Sequence, residues 1–275
     1  YWGGFSSVEA QARFLGERYE EARDLEKTIF LARFFASDIV CTPTVGFPGG
    51  VGIFEQTLYE GLDHVIARTP YGGLLYWRKR PYFTLPLYSP VRSEDDLESL
   101  EQPSPETFRP RIRALAEKLG RLRSLDYFVM TEIKGPFEAP WMFLRGLASF
   151  LADVVSKPGF ARRLVELAFK PILELTEEVV EQAPVDGVWM TEDLGENRNP
   201  YFGVERYREL FKPWHREVVR RLHAKGVKVF LHSHGNIMPF FGDLVEAGFD
   251  SIDPLDPADN MRLDELKERH GDRVT

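Results

Sequence analysis

A single cysteine, Cys41, stands among 275 residues, so no intramolecular disulfide can staple this chain, and a reducing cytosol suits it. Concentrated positive charge is missing too. The longest basic run is Arg78-Lys79-Arg80, and 35 basic residues face 43 acidic ones for a net charge of −8; nucleic acid or an anionic membrane surface would need a basic patch. No apolar stretch approaches the roughly 20 residues of a membrane span, and no basic-then-apolar signal segment opens the chain. The expectation is a cytoplasmic protein acting on a small molecule, with no nucleic-acid or membrane partner. The fingerprint Gly-x-Gly-x-x-Gly follows none of the strand-like segments, which argues against an open, doubly wound dinucleotide fold.

What is present is an ordinary globular composition, 43% apolar, long enough to bury a substantial core. Residues 6–36 carry apolar side chains at helical spacing behind the cap candidates Ser6 and Ser7, so the first element is read as helix. A short buried strand is expected over 38–41. The Gly/Pro-rich segment from Gly46 to Gly52 and a β-like stretch over 71–88 suggest an inserted loop and hairpin region at about 44–104. The acidic run over 93–101 reads as a solvated connector, and a helix is expected over 105–124.

From residue 125 a rhythm sets in. Strands are expected over 125–133, 187–192, 227–231 and 249–253, helices over 138–183 (broken near Pro158 and Gly159), 204–225, 238–247 and 263–270, and 273–275 opens one more strand. Strand and helix in alternation mean right-handed βαβ units and a parallel sheet. The fold class expected is therefore α/β, a single (β/α)8 TIM-type barrel domain over 1–275, truncated in or after its sixth strand. A closed barrel needs eight strands. The chain begins on Tyr1 rather than Met and is expected to continue past Thr275 by on the order of 60 residues, two βα units of about 30 each.

In such a barrel the chemistry sits at the C-terminal ends of the strands. Two strands end in Met-Thr-Glu, at Glu132 and at Glu192, the second running on into Asp193; a third ends in His232-Ser233-His234-Gly235, and a fourth in Asp253. His232 and His234, two apart on a strand, project to one side and are the metal-ligand candidates, with a divalent ion such as Zn²⁺ suited to imidazole and carboxylate. Glu192, Asp193 and Glu132 are the catalytic candidates. Glu132 and Glu192 could instead pair with Lys134, Arg145 or Arg198. Phe137, Trp141 and Tyr201 are aromatic substrate-binding candidates alongside Asp253, while Cys41 reads as core and His215 as a packing or capping residue.

The order of several loose motifs resembles the uroporphyrinogen decarboxylase superfamily: Gly135-Pro136-Phe137, Ala139-Pro140-Trp141 and Arg145-Gly146, then Asp186-Gly187 and Glu192-Asp193-Leu194-Gly195. They continue with Tyr207, Phe211, Pro213, His232-Ser233-His234-Gly235-Asn236-Ile237 and Asp253-Pro254-Leu255. The resemblance covers about 125–275. It implies a (β/α)8 barrel and one of two activities: zinc-assisted methyl transfer with a corrinoid carried by a separate protein, or metal-free decarboxylation of uroporphyrinogen in porphyrin biosynthesis. The decarboxylases' N-terminal arginine-rich motif does not precede Asp38. The methyltransferases' His-x-Cys-Gly is replaced here by His232-Ser233-His234-Gly235, which keeps a ligand but loses a thiolate.

Overall fold

A computed structural model of the chain describes residues 24–43, 56–79, 82–104, 106 and 108–275. The expected helix over residues 6–23 and the Gly46-to-Gly52 loop lie outside these.

Helix α1 (Asp24–Phe34) leads into β1 (Ile39–Pro43). An antiparallel meander follows: β2 (Gln56–Glu60), β3 (His64–Arg68), β4 (Leu74–Lys79) and β5 (Tyr82–Tyr88), paired in that order. The expected hairpin is thus the second half of a four-stranded sheet. Its Val65, Ala67 and Leu75 are buried, whereas every side chain of β2 is exposed, so β2 carries no apolar alternation that would mark it as a strand.

Helix α2 (Arg109–Arg123) then opens the regular part: β6 (Phe128–Lys134), α3 (Leu147–Ser156), α4 (Pro158–Gln182) and β7 (Gly187–Thr191). Next come α5 (Val204–Leu210), α6 (Lys212–His223), β8 (Lys228–His232), α7 (Phe241–Ala247), β9 (Ser251–Asp253) and α8 (Leu263–His270). Strands β1-β6-β7-β8-β9 form one parallel sheet. Thr275 adds to it: its N–H donates to the Asp250 carbonyl and its own carbonyl accepts from Ile252 N–H, whereas Arg273 and Val274 turn back onto His270, so of the strand expected over 273–275 only Thr275 pairs with the sheet. The α/β class and parallel sheet are as expected; among the described residues the sheet is partial, and no closed barrel is formed.

Apolar side chains on one face of this sheet, Val129, Ile133, Val188, Met190, Val229, Leu231 and Ile252, are buried in a single cluster with Ile112 and Leu119 of α2 and Leu164 and Ile172 of α4. Burying that row against helices is the main stabilising term. The break expected near Pro158 is there: α3 ends at Ser156, Lys157 leaves the helical region, and Pro158 begins α4, where the first helical position needs no N–H. One helix differs from the sequence reading: the helix expected over 204–225 is two, the chain breaking at Phe211 with Pro213 in the first turn of α6, where its missing N–H costs nothing.

Candidate active site

Successive side chains of a strand point to opposite faces. With Val129, Thr131 and Ile133 buried toward the helices, Phe128, Met130, Glu132 and Lys134 occupy the other, inner face of β6. Parallel register carries this across the sheet. Glu132 lies opposite Trp189, Lys134 opposite Thr191, Thr191 opposite His232, and His232 opposite Asp253. The inner face at the C-terminal strand ends is therefore polar.

His232 is its centre. Its Nδ1 is 3.0 Å from Asp253 Oδ2, while Trp189 Nε1–H donates to Asp253 Oδ1 at 2.9 Å. Both carboxylate oxygens are thus engaged, and an Nδ1–H tautomer leaves Nε2 as the open nitrogen. Nε2 faces Asp193 Oδ1 at 4.0 Å, and the Trp189 ring meets the imidazole edge-on at 4.9 Å between centroids. A carboxylate behind a histidine fixes its tautomer and ring orientation, which serves a general base and a metal ligand equally.

Beside it stands a second cluster. Lys134 Nζ donates to Thr191 Oγ1 at 2.8 Å and lies 3.3 Å from Glu138 Oε1 and 3.6 Å from Glu132 Oε1; Thr191 Oγ1 in turn donates to Glu138 Oε2 at 2.7 Å. Glu132, with a side chain 16% exposed, is raised to about 7, by burial first, with Lys134 and His232 opposing and Glu138 reinforcing the rise. Cys41 reaches this face as well. Burial pushes its thiol well up, as for the core residue the sequence suggested, and the charges of Glu132 and Asp253 push it the same way. Of the partners the sequence offered for Glu132, Lys134 is the one beside it; Trp189 was missed, although it sits two residues before the polar strand-end Thr191 and so shares its face.

Glu192 is elsewhere. It follows Val188 and Met190 on the helix side of β7 and is completely buried. Phe137 N–H donates to it at 2.7 Å and Glu138 N–H at 2.8 Å, and His215 Nε2 lies 3.1 Å from Oε1, with Tyr207 Oη 2.9 Å from Nδ1. Burial lowers His215 to about 3, so its imidazole is neutral, and burial pushes Glu192 well above the usual carboxylate range although the two backbone donors oppose it. This corrects the reading of Glu192 as a catalytic residue: enclosed behind the sheet, it cannot touch a substrate, and it seats the turn after β6. Gly135 is required there, since a Cβ would fall 2.5 Å from Glu192 Cδ. The anticipated partners of Glu192 are otherwise engaged: Arg145 binds Asp153 at 2.6 Å and Lys134 takes Glu132 and Glu138.

Two loops close over the strand ends. Gly235 has φ 88° and a Cβ on it would meet the Gly195 carbonyl at 2.2 Å, so the loops touch through glycines. Asp259 ties them, accepting from Gly235 N–H at 3.0 Å and Asn197 Nδ2 at 2.8 Å. His234, 59% exposed, has its N–H on Asp193 at 2.9 Å and its Nδ1 4.0 Å from Asp259. Of the aromatic candidates, Phe137 is corrected to core: it is buried among Phe150, Phe202 and Phe211 and carries Tyr201 stacked at 6.0 Å. Tyr201 keeps an exposed face and Trp141 is half-buried against the core.

A catalytic zinc takes about three protein ligands and one open position. The rings of His232 and His234 are 4.9 Å apart, yet no group of three His, Cys, Asp or Glu among the described residues could hold one ion. His232 and His234 could supply two such ligands, and no third lies with them among the described residues.

A family model described as uroporphyrinogen decarboxylase matches residues 80–275, taking in both clusters and both loops. The chain belongs to that family. It is also similar in fold to a methyltransferase from Methanosarcina mazei, with a TM-score of 0.62 at 13% identity over 98% of this chain and 73% of that one. Comparison with curated proteins finds no match. No helix among the described residues is long and apolar enough to cross a membrane.

Proposed function

We propose that this member of the uroporphyrinogen decarboxylase family is a methyltransferase whose chemistry takes place on the inner face of a (β/α)8 barrel, of which the parallel sheet is the visible part. The observation that supports it is the placement of His232 between Asp253 and Asp193, beside Glu132. Glu132, raised to about 7, can take up a proton at neutral pH. The acceptor's proton passes to Glu132 or to His232 Nε2; its freed electron pair forms the bond to the methyl carbon, and the bond to the methyl donor breaks with its pair remaining on the donor. Asp253 and Trp189 hold His232 in register, Asp193 faces the open nitrogen, and Tyr201 lines the approach. General-base assistance of this kind contributes roughly 10²–10⁴ in rate.

The donor, in this reading, is a methylated corrinoid on a separate protein, and the acceptor a thiol or comparable small molecule. A zinc ion on His232 and His234 would need a third donor from outside the described residues. The other activity implied by the resemblance, decarboxylation of a polyacidic tetrapyrrole, fits less well: the inner face presents Glu132, Asp193 and Asp253, and Lys134 is already engaged by two carboxylates, so substrate carboxylates would meet like charge. The test is incubation of the protein with methylcobalamin and a thiol, read by loss of the methyl–cobalt absorption, in parallel with uroporphyrinogen. Methyl transfer without coproporphyrinogen supports the proposal. Coproporphyrinogen without methyl transfer overturns it.

A further inference from the structure

The four-stranded meander buries one face and leaves the other open. Val65, Ala67 and Leu75 fill the inner side, and by alternation the residues between them share the outer one. The open face of an antiparallel sheet is ordinarily polar; this one is apolar and aromatic. Tyr59, Phe83 and Leu85 are 50%, 39% and 49% exposed, and cross-strand register sets Ile66 between Tyr59 and Tyr76, and Tyr76 opposite Leu85. A ladder of rings crosses all four strands, Tyr59–His64–Tyr76–Phe83, with centroids 4.9, 4.9 and 5.8 Å apart. Apolar surface gathered in this way marks a contact.

What covers it follows from geometry and charge. The first three rings lie within 29° of parallel to their neighbours, so their faces are taken up by one another; a nucleic acid, which stacks its bases on free ring faces, finds few. The charged side chains on the face are basic. Arg78 lies over the Phe83 ring at 5.9 Å, and Arg68 stands exposed with Gln56 opposite on one side and Leu74 on the other. The chain carries the complement itself: the acidic run over 93–101 follows β5 and exposes Asp95, Glu98 and Glu101. A face and its complement on one chain suit a two-fold pairing, in which each copy gives and receives the same contact.

We infer that the open face of the meander is an interface between two copies of this chain, apolar centre against apolar centre, with Arg68 and Arg78 of each copy meeting the acidic run of the other. Four strands, about 4.8 Å apart and about five residues long at about 3.4 Å each, give a face of roughly 300 Å². Even with its rim, such an interface falls at the low end of specific contacts. The dimer is therefore weak, with a Kd on the order of 10 µM, and weaker still in salt.

Sedimentation equilibrium of the whole protein from about 1 to about 200 µM tests this. The parent is expected to pass from monomer to dimer across that range, and about 0.5 M NaCl should raise the Kd about fivefold. Leu85→Glu, a change at an exposed position, should weaken association by about 100-fold. Arg68→Glu together with Arg78→Glu should weaken it by about tenfold, and joining them to Glu98→Lys and Glu101→Lys, which reverses both sides of the contact, should recover most of that loss. Circular dichroism checks that each variant is folded. A parent still monomeric at about 200 µM would leave the face to a different protein and overturn the inference, as would a dimer indifferent to Leu85→Glu, or charge reversals that do not compensate one another.

Discussion

The tripeptide Met-Thr-Glu stands near the C-terminal end of β6, two residues before Lys134, and runs one residue past the end of β7 at Thr191, and the two glutamates lie in opposite surroundings. In β6 the glutamate, Glu132, faces the inner side beside Lys134, Trp189 and His232, part-exposed and raised to about 7. In β7 the glutamate, Glu192, faces the helices, sealed against Phe137, Glu138 and His215. The strands are in register with Glu132 opposite Trp189 and Ile133 opposite Met190, so the tripeptides are three residues out of register, and an odd offset on a period of two exchanges faces. Identical sequence therefore stands on the inner face in one strand, where the proposed chemistry takes place, and is sealed behind the sheet in the next.

The largest effect should come from the architectural copy. Glu192→Ala leaves two backbone N–H groups without their acceptor and His215 Nε2 without its partner, all buried, and urea unfolding should show a loss of about 3–5 kcal/mol. Gly135→Ala should cost a comparable amount by driving a methyl group into the same carboxyl. A loss under about 1 kcal/mol in both would mean that Glu192 does not seat the turn.

The chemical copy should behave in the other direction. Glu132 is raised from its ordinary 4.5 to about 7, so the folded state binds the extra proton between those values; its contribution is whole at low pH and is lost as pH rises through about 7. Glu132→Gln, which is never charged, should gain stability relative to the parent by about 3 kcal/mol between pH 4.5 and pH 8. Unfolding curves at the two pH values measure this, and a pH-independent difference would break the comparison.

A smaller effect sharpens the inner-face geometry. Trp189→Phe removes the N–H held by Asp253 and should cost about 1 kcal/mol in stability, with methyl transfer down on the order of tenfold because His232 is less firmly oriented. An unchanged rate would release Trp189 from the site.

The sequence made the parallel strands readable because each is a short apolar run closed by turn residues, and even the pairing of Thr275 followed from it. β2 stayed hidden since all five of its side chains are exposed. The strand-end histidines and acids were visible as residue types, but which face each takes depends on register, which no strand reveals alone. That is why Glu192 was grouped with Glu132, and why Trp189, on the inner face by alternation, was passed over, while Lys134 was foreseen only as a partner of a glutamate. His215 was read as a packing or capping residue; it is packed, and its partners Tyr207 and Glu192, 8 and 23 positions away, meet it only once the sheet and helices are assembled.

The rate of methyl transfer by folded Glu132→Gln, set beside that of folded Glu192→Gln at pH 8, tests the division of labour most directly. The account predicts a fall of at least about 100-fold for Glu132→Gln and a fall of less than about tenfold for Glu192→Gln, whose carboxamide oxygen still accepts a backbone N–H. Equal falls, or a greater loss in Glu192→Gln, would contradict it.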